Sequence, residues 1–69
     1  MNIARLVAMA NDIAANLAAE PDRAEAVATM TLHLRRFWEP GMRAQILAYL
    51  DQGGSELDVL ARDAVAALR

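Results

Sequence analysis

Apolar side chains recur at spacings of three and four along most of the chain. In the first segment they fall at Ile3, Leu6, Val7, Ala10, Ile13, Ala14 and Leu17, which puts them on one face of a helix. Alanine fills much of the remainder and is the best helix former, so a helix over about residues 2–19 is predicted. Asn11, Asp12 and Asn16 lie off the stripe, as does Met9. Met9 reads either as a half-covered side chain or as a methionine facing a partner. Glu20 and Pro21 close the segment, because the residue before a proline is pushed out of the α region.

The second segment opens on Asp-Arg-Ala-Glu, residues 22–25. This has the form of a capping box: Asp22 accepts from the backbone N–H near Glu25, and Glu25 reaches back to the N–H of Asp22. Val27, Met30, Thr31, Leu34, Phe37 and Trp38 then repeat at helical spacing, predicting a helix over 22–38. Its apolar face is expected to pack on the first helix as an antiparallel hairpin. Leu32 breaks the pattern, sitting about 160° round the helix from Leu34. Arg35, Arg36 and Glu39 share its side. An apolar residue among arginines has the composition of an interface patch, although single exposed leucines are ordinary on any surface.

Pro40 ends the second helix and suits the first turn of a third. That helix is predicted over 40–52 from Met42, Ile46, Leu47, Tyr49 and Leu50. Gly53 and Gly54 stop it by supplying left-handed backbone. Ser55 reads as an N-cap with acidic residues in the first turn behind it. Leu57, Leu60, Ala61, Ala64, Val65 and Leu68 give a last helical stripe over 55–68. The last helix either packs back on the others or lies in a groove of a partner. The prediction is therefore all-α: one small domain, a bundle of three to four short helices.

Composition narrows what such a bundle can do. With 69 residues the chain buries only about 60 % of the surface its unfolded form exposes and is marginally stable by itself, so a staple is expected. There is no cysteine and one histidine, which argues against a disulfide framework and a metal site. Docking on a partner is the staple that remains. A net charge of −2 is not the field of a nucleic-acid binder. No signal peptide and no run long enough to span a membrane is apparent, so the expected location is the cytoplasm. All seven basic residues are arginine; a GC-rich genome accounts for that, as does a preference for planar interface contacts.

The densest chemistry lies between His33 and Arg43, His-Leu-Arg-Arg-Phe-Trp-Glu-Pro-Gly-Met-Arg. The turn at Trp38-Glu39 brings Trp38 and Met42 together, with Arg35, Arg36 and Arg43 around them. Trp38 either plugs the core at the bend or anchors in a partner's pocket, since Trp and Arg dominate interface hot spots. His33 has no carboxylate or nucleophile at catalytic spacing, and a chain this small rarely forms the pocket a general base needs. The candidate partner-binding residues are Leu32, Arg35, Arg36, Trp38, Glu39, Met42 and Arg43. No catalytic, cofactor-binding or metal residue is predicted.

This block and its flanks carry a resemblance. Residues 8–13, the turn Pro21-Asp22-Arg23, the block 33–43, and residues 47–51 with Gly53-Gly54 resemble the delta subunit of the soluble, molybdenum-containing, NAD-dependent formate dehydrogenases over about residues 5–69. Gly41 departs from the pattern, standing where arginine is common. The resemblance implies a non-catalytic accessory subunit of a complex that converts formate and NAD+ to CO2 and NADH. It implies an alpha subunit with molybdenum–bis(guanine dinucleotide) and iron–sulfur clusters. The implied beta subunit carries FMN and the NAD site, and the gamma subunit a further iron–sulfur cluster. The delta chain itself is expected to hold no cofactor, to dock on the alpha subunit, and to stabilise it or help its molybdenum cofactor become inserted. A free-standing helical adaptor or regulator, with a homodimer as one of its forms, is the alternative; a nucleic-acid-binding domain and an enzyme in its own right fit the residues less well.

Overall fold

In a computed structural model, which describes residues 2–69, the apolar stripes become four helices: α1 (Ile3–Leu17), α2 (Arg23–Phe37), α3 (Pro40–Asp51) and α4 (Val59–Ala66). The predicted all-α bundle is what the chain forms. Met1 lies outside the described residues.

Three helix ends are set by local devices. Asn2 caps α1 by accepting from the N–H of Ala4 at 2.8 Å. Asp22 Oδ1 accepts from the N–H of Glu25 at 3.2 Å, so one half of the capping box forms. The other half does not: the N–H of Asp22 donates to Glu20 Oε1 at 3.1 Å instead. Glu20 is two residues upstream and is carried back over the turn at Pro21, so it reaches this donor in place of Glu25. At the end of α3 the N–H of Gly54 reaches the Tyr49 carbonyl (3.1 Å) and that of Gly53 the Leu50 carbonyl (3.0 Å). This is a Schellman closure, and both glycines have positive φ, 121° and 55°.

The last helix is capped three residues later than Ser55 predicts, at Asp58. Residues 54–57 form a turn, closed by Leu57 N–H on the Gly54 carbonyl at 3.1 Å, and Leu57 drops into the core from it. Asp58 is the N-cap residue without a side-chain cap bond. Its own N–H goes to Asn11 Oδ1 at 2.9 Å, and Asn11 Nδ2 donates to the Glu56 carbonyl at 2.8 Å. The turn is thus fastened from α1, which removes the need for a local cap at Ser55.

The core is built from Leu6, Val7, Ala10 and Ala14 of α1, Met30 and Leu34 of α2 with Trp38 at its end, Ile46 of α3, and Leu57, Ala61, Ala64 and Val65 around α4. The shortest helix, α4, touches all three others. The second helix was expected to pair chiefly with the first; it touches α1, but its most extensive contact is with α4. Small side chains explain this: Ala61 and Ala64 are fully buried and let α4 approach closely.

An eight-residue helix has four carbonyls at its end without helical partners. Side chains of α2 supply two of them. The buried Thr31 hydroxyl, bonded to the Val27 carbonyl at 2.8 Å, lies 3.2 Å from the Ala64 carbonyl, and Arg35 Nη2 donates to the Ala67 carbonyl at 2.8 Å. Arg23 Nη2 pairs with Asp63 Oδ2 at 2.7 Å. Arg69 pairs with Asp51, whose hydrogen bond and charge hold that guanidinium above its ordinary pKa.

Candidate functional site

The corner between α2 and α3 is made by backbone chemistry. Trp38 leaves the helix with extended dihedrals (φ −89°, ψ 135°), and its N–H closes on the Leu34 carbonyl. Glu39 then serves as N-cap of α3 without a side-chain bond, ahead of Pro40. The seven candidate residues around this corner divide into three groups.

Trp38 and Met42 belong to the interior. Trp38 is 5 % exposed and sits in the core cluster, with Met42 packed against it. Of the two readings of Trp38, the structure places it as the plug at the bend. Its indole is spent on folding the corner and is not offered as an anchor on the surface.

Arg35 and Arg43 are engaged within the chain. Arg35 caps the end of α4. Arg43 Nη1 donates to the Arg35 carbonyl at 3.3 Å, near the end of α2. Each adds positive charge where a helix C-terminus carries its negative end.

Leu32, Arg36 and Glu39 are exposed. Leu32 stands on the outer side of α2, half exposed at 50 %. Arg36 makes no hydrogen bond or ion pair among the described residues.

Phe37 was placed with the inner stripe and lies outside it, 69 % exposed. Angle alone does not account for this: at 3.6 residues per turn Phe37 lies about 20° from Met30, which is fully buried, but Phe37 is the last residue of α2. Its ring rests on His33 one turn earlier, with centroids 4.8 Å apart and planes tilted by 43°. Azimuths counted from the sequence keep Phe37 with the inner stripe, and only the packed bundle separates it from Trp38. His33 is exposed and its neighbour is a ring rather than an acid or a nucleophile.

Asn11 is the second residue that periodicity passed over. Its two bonds reach residues 45 and 47 positions away, and no local pattern announces them.

Among the described residues no group of three or more His, Cys, Asp or Glu is placed to hold a metal ion, and no helix is long and apolar enough to cross a membrane. The surface depressions are open and shallow. One lies between α2 and the end of α4, lined by Val27, Ala28, Leu32 and Ala67 with Arg35. On α2 stand an exposed aromatic ring, a leucine and a guanidinium without a partner among the described residues.

Residues 5–65 match the model of a protein family described as NADH-dependant formate dehydrogenase delta subunit FdsD. No curated protein and no solved structure matches the chain.

Proposed function

The chain belongs to the delta subunit family of NADH-dependent formate dehydrogenases, and from that premise we propose that it is a non-catalytic accessory subunit of an NAD-dependent molybdenum formate dehydrogenase. It docks on the catalytic alpha subunit and stabilises that subunit or assists insertion of its molybdenum cofactor. It works in the compartment where that complex is assembled, expected to be the cytoplasm. The beta and gamma subunits complete the complex and carry the flavin and electron-transfer chemistry.

The observation that carries this reading is the extent of the match, which takes in all of α2 and α3 and nearly all of α1 and α4. The inventory of side chains supports it. Five of the seven arginines are engaged inside the molecule: Arg35, Arg43 and Arg62 on carbonyls, and Arg23 and Arg69 on carboxylates. What the folded chain presents outward is a surface for contact. Exposed ion pairs contribute only about 0–1 kcal/mol, so burial of apolar side chains is expected to dominate the affinity.

The test is to produce the formate dehydrogenase subunits with and without this chain. Molybdenum per alpha subunit and the thermal inactivation rate of the complex are measured in both preparations. Equal molybdenum with faster inactivation in its absence identifies a stabiliser. Depressed molybdenum with normal inactivation of the loaded fraction identifies an insertion helper. No difference in either quantity, with no co-purification of a tagged chain, refutes the proposal.

A further inference from the structure

The exposed side chains of α2 form a second organised face. Thr29, Leu32, His33, Arg36 and Phe37 fall within an arc of about 140° at 100° per residue, and all five are exposed. Among the described residues Leu32 and Phe37 are two of the four large apolar side chains that stand exposed; the others, Ile3 and Val59, lie on α1 and α4. The Phe37 ring lies against that of His33.

We propose that this face of α2, bounded by Leu32 and Phe37 with Arg36 between them and not built on Trp38, is the surface through which the chain docks. Its occupant is a surface of the larger catalytic subunit on which two apolar depressions flank a carboxylate, so the inference rests on the delta-subunit reading and adds the surface and its complement. Charge selects that occupant. Residues 33–43 hold three arginines against one glutamate, whereas the rest of the chain holds four arginines against eight carboxylates. The one basic region of an acidic molecule thus lies at the end of this face. Arg36 sits inside the face with no partner among the described residues, leaving its guanidinium available to a carboxylate across an interface.

The same charge argues against a second copy as occupant. A two-fold contact through this face brings like surface to like, setting Arg36 and its neighbouring arginines against their own copies, and like charges directly opposed are repulsive. Two bulky apolar side chains flanking a single guanidinium also differ from the basic, phosphate-facing patch of a nucleic-acid site.

The experiment uses the tagged chain co-expressed with the formate dehydrogenase subunits, with retained alpha subunit quantified after purification. Leu32→Asp and Phe37→Asp are each expected to lower retention at least tenfold. Arg36→Glu lowers it severalfold, and more at low ionic strength than at high. Val59→Asp, equally exposed on another helix, leaves it unchanged. Circular dichroism melts of all four variants stay within a few degrees of the unmodified chain, which separates lost contact from lost fold. Wild-type retention by both Leu32→Asp and Phe37→Asp overturns the assignment of the face and leaves the delta-subunit reading standing. Capture of no formate dehydrogenase subunit by the unmodified chain overturns both. Sedimentation showing a dimer of the unmodified chain that Phe37→Asp dissociates overturns the choice of occupant.

Discussion

A single amide side chain, Asn11, fixes where the last helix starts. It gives one hydrogen bond to the Glu56 carbonyl and takes one from the Asp58 N–H. Both partners are backbone groups of a turn that has no helix of its own to satisfy them. Replacing Asn11 by Ala removes both bonds, each of net worth about 0.5–1.5 kcal/mol. The expected outcome is a loss of about 1–2 kcal/mol, read as a fall of roughly 5–10 °C in the melting temperature of so small a domain. An unchanged melt would mean the turn holds without α1. Two glycines make a complementary pair at the same scale. Gly54 has φ +55°, and a Cβ there would lie 3.1 Å from Leu50 Cδ1 and 3.3 Å from the Leu50 Cα. Gly54→Ala is therefore expected to cost about 1–2 kcal/mol. Gly41 lies in open space within α3 with nothing near an added Cβ; Gly41→Ala is expected to stabilise by about 0.5 kcal/mol through the entropy of the unfolded chain. Thermal melts of the two variants should move in opposite directions.

Helix α4 shows most clearly what an element borrows from its neighbours. Eight residues are too few to be stable alone in water, and α4 depends on α2 at three places: the pair Arg23–Asp63, the Thr31 hydroxyl, and the Arg35 guanidinium over its last turn. Arg35→Met keeps the aliphatic stem and removes the cap. Hydrogen exchange is expected to accelerate at the amides of residues 66–68, with little change in α1. Exchange faster across all four helices would show Arg35 holding the global fold instead. The same element marks the limit of reading structure from sequence. Its apolar stripe was legible, because a 3.6-residue period belongs to the segment itself. Its start was not, because Ser55 looks like a cap in every local respect, while the groups that place the helix lie on α1. Likewise the Schellman closure at Gly53 and Gly54 was legible from two residues, whereas Glu20 displacing Glu25 in the capping box depended on the path of the turn. At the corner, the sequence located the turn at Trp38 and Glu39. It gave Trp38 and Phe37 one common face, and only the packed bundle separates a core ring from a surface ring.

For the molecule as a whole, stability and docking are linked through the small size of the interior. Five of the thirteen buried apolar residues are alanines, so the core leans on its few large members, among them Leu6, Met30, Leu34, Ile46 and Trp38. Truncation of a buried tryptophan typically removes about 3–5 kcal/mol, comparable to the entire stability such a domain commands. Trp38→Ala is thus expected to abolish the cooperative melt of the isolated chain, and any loss of alpha-subunit retention that follows comes through unfolding. Phe37→Asp makes the contrast: the isolated chain should melt almost as before. On the docking proposal, the partner raises the melting temperature of the bound chain by mass action, by about 2.7 kcal/mol when its concentration is a hundred times Kd. For a domain of this size that is a rise of at least about 10 °C. The unmodified chain should show this rise on adding purified catalytic subunit, and Phe37→Asp should not. A rise of equal size in both would place the contact on another face. No rise in either, at concentrations where the chain co-purifies, would mean that the folded bundle draws no stability from its partner.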